Sequence, residues 1–195
     1  MLDALSDFWK PMKKNQQGDK LRPEQLQIGS ALGFGFVPQA SLNGRRLSVT
    51  AVSTYQFGEE ALTSFALSHD KDASVSMIVA ESEGEQYLAL SRRISVGDRM
   101  KMFDATDLEN VTSKMETASL TCKEMLPDFK GWLVPVYKRE IHNMAGRLFA
   151  GDFRKHPIPP ANQGQEFRYT LLVSDSNEHA IEIEKYADGR IELYA

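Results

Sequence analysis

The chain reads as a β-rich α+β protein of two similar antiparallel lobes, with one inserted helix and one N-terminal helix. Three observations carry that reading. Apolar residues alternate with polar ones from Leu26 onward, as they must when one strand face is buried. Ser64 to Leu90, SFALSHDKDASVSMIVAESEGEQYLAL, is echoed without a gap by Tyr169 to Ala195, YTLLVSDSNEHAIEIEKYADGRIELYA. Leu67 then falls on Leu172, Asp70 on Asp175, Gly84 on Gly189 and Leu88 on Leu193. Upstream, LQIGSALGF (from Leu26) has the same form as ISVGDRMKM (from Ile94), and an internal repeat points to a duplicated unit.

The elements follow in order. Leu2, Leu5, Phe8, Trp9 and Met12 recur at helical spacing, so residues 1–25 form an amphipathic helix and a polar linker containing Gly18 and Pro23. Phe8 and Trp9, beside Lys10, Lys13 and Lys14, would suit a membrane surface, but Asp3 and Asp7 favour docking on protein. Residues 26–93 form the first lobe. It opens with a strand bent at Gly29-Ser30, turns at Asn43-Gly44, and continues with strands near Ser64–Ser68, Val75–Ala80 and Gln86–Ser91.

Residues 94–195 form the second lobe, with Ile94–Phe103 as its opening strand. Leu108, Val111, Met115, Ala118, Cys122 and Met125 then step by three and four, which predicts a helix over 105–126. Asp104 or Thr106 would cap it and Pro127 would stop it. Trp132–Tyr137 and Arg147–Ala150 read as strands, and the proline-rich stretch from Lys155 to Glu166 as a surface loop. Asp188-Gly189 supplies the last hairpin turn.

Composition narrows the function. With 42% hydrophobic and 26% charged residues among 195, the chain has an ordinary globular balance. Its net charge of −4 is wrong for a general nucleic-acid binder. The lone cysteine, Cys122, excludes an internal disulfide and a multi-cysteine metal site, which fits a reducing compartment. The expected location is the cytoplasm, because the first residues lack the charge order of a signal peptide.

Charge is uneven along the sequence. Between Asp128 and Pro157, six Lys and Arg face three carboxylates, whereas from Glu166 onward three face seven. The basic stretch interleaves cations with aromatic residues, so Trp132, Tyr137, Lys138, Arg139, Arg147, Arg154 and Lys155 are the candidate binding residues for a protein partner.

Chemistry has thinner support. The chain has no P-loop, no G-x-G-x-x-G after a strand, no H-E-x-x-H and no G-x-S-x-G. GSALGFG lacks the lysine and helix start that a phosphate site needs. Cys122 sits on the apolar stripe of the predicted helix, where a buried inert thiol is expected. His142, Asp152 and His156 could converge as a hydrolytic or metal-binding group only if the Gly146–Gly151 stretch folds back. No metal or cofactor is expected.

The closing EFRYTLLVSDSNEHAIEIEKYADGRIELY, preceded by Trp132, Val136-Tyr137-Lys138-Arg139 and Arg147-Leu148-Phe149, resembles the YjfK-like bacterial proteins of unknown function. LQIGSALGF is similar to the start of related small bacterial β domains. The resemblance implies a bacterial cytoplasmic protein whose gene neighbours include membrane-remodelling and membrane stress proteins. It implies no enzyme activity and no assigned residue. The function expected is therefore a non-catalytic interaction or adaptor module, possible links to membrane stress included. The alternative is a hydrolase of a small anionic substrate using His142, Asp152 and His156.

Overall fold

A computed structural model describes residues 22–69, 72–82, 85–113 and 118–195. The predicted N-terminal helix, with Phe8 and Trp9, lies outside them. Among the described residues, ten antiparallel strands make one sheet: β1 (Ala31–Gly33), β2 (Arg46–Phe57), β3 (Glu60–His69), β4 (Asp72–Ser82), β5 (Glu85–Ile94), β6 (Ser119–Thr121), β7 (Val136–Ala150), β8 (Gln165–Val173), β9 (Ala180–Tyr186) and β10 (Ile191–Tyr194). Their order is β1-β2-β3-β4-β5-β10-β9-β8-β7-β6, and β2 also pairs with β7. That pairing, Ser53–Gln56 against Arg147–Ala150, closes eight strands into a barrel. β1 and β6 pair with the opposite halves of β2 and β7, where those two strands part.

The β-rich prediction holds, but the two predicted lobes are one barrel. Both halves contribute strands to the same wall, and β5 of the first half pairs directly with β10 of the second. The echo also fails in detail. Ile78 packs with the barrel-lining cluster, while its counterpart Ile183 packs with the outer one.

Local chemistry explains two of the hairpin turns. Gly58, at φ +63, takes the first place of the two-residue β2–β3 turn, where a positive φ suits the twist of a hairpin. Gly189, at φ +85, closes the β9–β10 turn at the predicted Asp188-Gly189.

The predicted strand Ile94–Phe103 is instead a helix, α1 (Val96–Met102). Ser95 caps it by accepting the Asp98 amide at 3.1 Å, and its hydroxyl donates to the Asp98 carboxylate at 2.7 Å. This Ser-x-x-Asp pattern is a helix start that the apolar alternation concealed. The predicted helix 105–126 is α2 (Ala105–Ser113), with β6 inside the remainder of that range. Thr112 and Ser113 donate their hydroxyls to the Leu108 and Glu109 carbonyls at the end of α2, a competition that weakens a helix. Trp132–Tyr137 and Arg147–Ala150 are not separate strands. Tyr137 and Arg147 share the 15-residue β7, which is irregular around Glu140 and at Asn143, where φ is +53.

Both faces of the wall are packed. Outside, Val52, Phe65, Leu67, Met77, Ile94, Ile181, Ile183 and Leu193 join Leu26, Leu32, Leu42, Met102, Phe103, Val111, Phe129 and Trp132 in one apolar cluster. Burial of that layer is the main driving force for the covering segments to fold onto the barrel. Inside, Phe57, Ile78, Ile141, Phe167, Tyr169, Leu171 and Tyr186 form the second cluster. Phe57 and Phe167 meet edge to face at 5.7 Å, and Tyr55 meets Phe167 at 5.8 Å, across the intervening β7.

Candidate functional site

The barrel interior is half polar. Its β3, β4 and β5 walls present the small side chains Ser64, Ser76 and Ser91, while β8, β9 and β10 present Tyr169, Glu182, Glu184 and Tyr194. Small residues facing bulky ones let a narrow barrel fill. A cavity of about 20 Å³ remains among them, room for one water-sized group.

Glu184 is 2% exposed and accepts a hydrogen bond from the Tyr186 hydroxyl at 2.5 Å. Glu182 accepts one from Tyr169 at 3.1 Å. Burial pushes both carboxyls up to about 7, only partly opposed by these phenols. Burial likewise raises Tyr55, Tyr169, Tyr186 and Tyr194, so they remain neutral donors. Glu192, paired in register with Glu184, differs by having cations: Arg190 at 2.5 Å and Arg93 at 3.4 Å, with Tyr194 also donating at 2.5 Å. In the sequence these glutamates look like ordinary solvent-facing strand residues. Their signal was the shared parity with tyrosines in Glu182-x-Glu184-x-Tyr186 and Glu192-x-Tyr194.

The predicted binding residues do not form one surface. Trp132 is 3% exposed and donates its indole N–H to Ser41 at 3.1 Å. Tyr137 is fully buried, with its hydroxyl accepting the Val134 amide at 2.8 Å. Arg139 donates to the Val111 carbonyl, and Lys138 pairs with Asp175 at 2.7 Å on the surface.

Arg154 is a fastener. It grips Asp152 twice, at 2.8 and 2.5 Å, and donates to the carbonyls of Pro23 and Leu26 at 2.5 and 2.6 Å. Its guanidinium also lies 4.9 Å from the Phe65 ring centre. Lys155 is exposed. Arg147 pairs with Glu166 at 2.7 Å and lines a mixed-charge groove of about 800 Å³ at the Gly58 and Gly189 end of the barrel.

His142, Asp152 and His156 are not brought together. His142 lies 3.2 Å from the Thr112 carbonyl, and burial with Arg139 nearby lowers its pKa. Asp152 follows the end of β7, eight strand residues beyond His142 or roughly 25 Å of extended chain. Arg154 holds its carboxyl below the usual range. His156 belongs to the next turn, its amide donating to Phe153 at 3.3 Å. Among the described residues, no group of three or more His, Cys, Asp or Glu is placed to hold a metal ion. Burial raises the Cys122 thiol, which keeps it protonated and poorly nucleophilic.

A second groove, of about 570 Å³, lies between α1–α2 and the outer wall of β9 and β10. Ile183, Ile191 and Leu193 form its floor, and Met100, Phe103 and Leu108 its side. Met100 is 73% exposed there. Arg99, Lys123 and Lys185 share the rim with Asp104 and Glu109. Lys123 pairs with Asp104 at 3.1 Å.

No protein-family model, no curated protein and no solved structure matches the chain. Among the described residues no helix is long and apolar enough to cross a membrane.

Proposed function

We propose that the chain is a non-catalytic protein-interaction module of the bacterial cytoplasm. It captures an apolar partner segment with an acidic flank in the groove between α1–α2 and β9–β10. One observation carries this reading: an apolar floor and the exposed Met100 lie inside a rim with three cations and two carboxylates. Desolvated apolar contact at the centre with charge at the edge is the anatomy of a protein interface. The excess of rim cations selects the acidic flank. The likeness to YjfK-like proteins adds a direction, towards partners that act when membranes are stressed.

The test is a photo-crosslinking residue at Met100, with one at Asp175 on the β8–β9 loop, outside the groove lining, as control, in cells making the full chain. A discrete adduct from position 100, lost on Ile191→Asp and absent from position 175, supports the reading. Equal adducts from both positions, or none from position 100, would refute it.

A further inference from the structure

We propose that the β5–β10 seam is a pH-operated opening in the barrel wall, closed while Glu182 and Glu184 hold their protons and released when they lose them. The seam is the shortest in the barrel. β5 and β10 share two register pairs, Ile94 with Leu193 and Arg93 with Tyr194, whereas β4 and β5 share eight. Two further backbone bonds tie Arg92 to Ala195, at 2.7 and 2.9 Å. β10 sits directly beside the buried Glu184 and the half-buried Glu182, with Glu192 opposite Glu184 and Tyr194 opposite Glu182.

Among the described residues, the surrounding groups leave the inner two glutamates without a cation of their own. β8 offers the Tyr169 phenol, and β2 offers Tyr55. On β9 itself Tyr186 donates to Glu184. Among the described residues, β3, β4 and β5 line the cavity with the hydroxyls of Ser64, Ser76 and Ser91 beside the apolar Leu62 and Ile78. β7 adds the apolar Ile141 and Met144. The nearby cations, Arg93 and Arg190, are both engaged by Glu192, which itself repels a charge on Glu184.

Protonated, Glu182 and Glu184 are satisfied by phenols. Ionised, they are two like charges two residues apart in a low-dielectric interior, where the charged form is strongly disfavoured. Parting the shortest ladder admits water to both. Their raised pKa values put this transition near neutral pH, so rising pH opens the seam and falling pH closes it.

The experiment is amide hydrogen exchange on the full chain at pH 5.5 and 8.5, corrected for the intrinsic rate of exchange. The Arg92 and Ala195 amides should lose at least about tenfold protection at the higher pH relative to β3–β4 amides. Glu182→Gln/Glu184→Gln should abolish that difference. Protection unaffected by pH, an equal loss in the double variant, or an equal loss in every strand would overturn the proposal. Should the double variant fail to fold, carboxyl carbon-13 titration of the wild type decides. Midpoints near 7 for both groups support it, and midpoints at the ordinary value of about 4.3 overturn it.

Discussion

Glu184 illustrates how one residue couples the interior to pH. Its folded carboxyl titrates near 7, above an ordinary value of 4.5, so the native state holds the extra proton between those limits. Stability is therefore full below about pH 4.5 and declines as pH rises through 7. Over that interval the loss is on the order of 3 kcal/mol from this group alone. Glu184→Gln, which keeps the shape without the charge, should raise the urea midpoint at pH 8 and change it little at pH 4.5. A midpoint shift of the same size at both pH values would contradict the assignment. Arg154 makes the opposite point, since a cation in a basic, aromatic stretch looked like a ligand contact. It serves instead to fasten the N-terminal segment at Pro23 and Leu26. Arg154→Ala should cost about 2–3 kcal/mol, because it strands Asp152 and two carbonyls. Arg154→Lys should recover little, as an ammonium has no fork to reach all three. Denaturant melts of the two variants check both statements. Neither residue's role was legible in the sequence. Alternation says which residues share a face, but not whether the opposite face meets solvent or a second packed layer. Ile181 and Ile183 look like the buried set and Glu182 and Glu184 the wet one, yet Glu184 is buried like the isoleucines and Glu182 is half-buried.

At the scale of elements, the strands β3, β4 and β5 were legible as short apolar-rich runs bounded by polar connections. The turns at Gly44 and Gly189 were legible because positive φ at a glycine is written in the residue type. The misread segment lies at Ile94–Phe103, where alternation competed with a capping pattern and the cap prevailed. Ser95→Ala should therefore cost about 1 kcal/mol, read from the same melts, and loosen α1 beside the apolar groove. Gly131 carries a stricter constraint. It sits at φ +81, and a Cβ there would lie 2.2 Å from the Pro38 carbonyl oxygen. Gly131→Ala should destabilise by about 3 kcal/mol or more, through strain and a backbone clash together. An effect below about 1 kcal/mol would show that the covering loop is not pressed against Pro38.

Taken as a whole molecule, the chain has two packed layers on one closed wall, and this explains why an internal echo suggested two lobes. Each half carries a three-strand meander of similar spacing, so their apolar patterns resemble one another. Adjacent three-strand meanders can also pair edge to edge, as β5 and β10 do, and sequence pattern alone carries no information about which strands meet at long range. The closure of β2 on β7 was invisible for that reason. It sets the interior that buries Glu184 and half-buries Glu182, so the pH behaviour depends on it. The direct test is the set of backbone proton NOEs in the isotopically labelled full chain at pH 5.5. Cross-strand contacts from Ser53–Gln56 to Arg147–Ala150, together with contacts from Arg93–Ile94 to Leu193–Tyr194, are the predicted result. Strong contacts within each meander but none across these two seams would contradict the closed barrel.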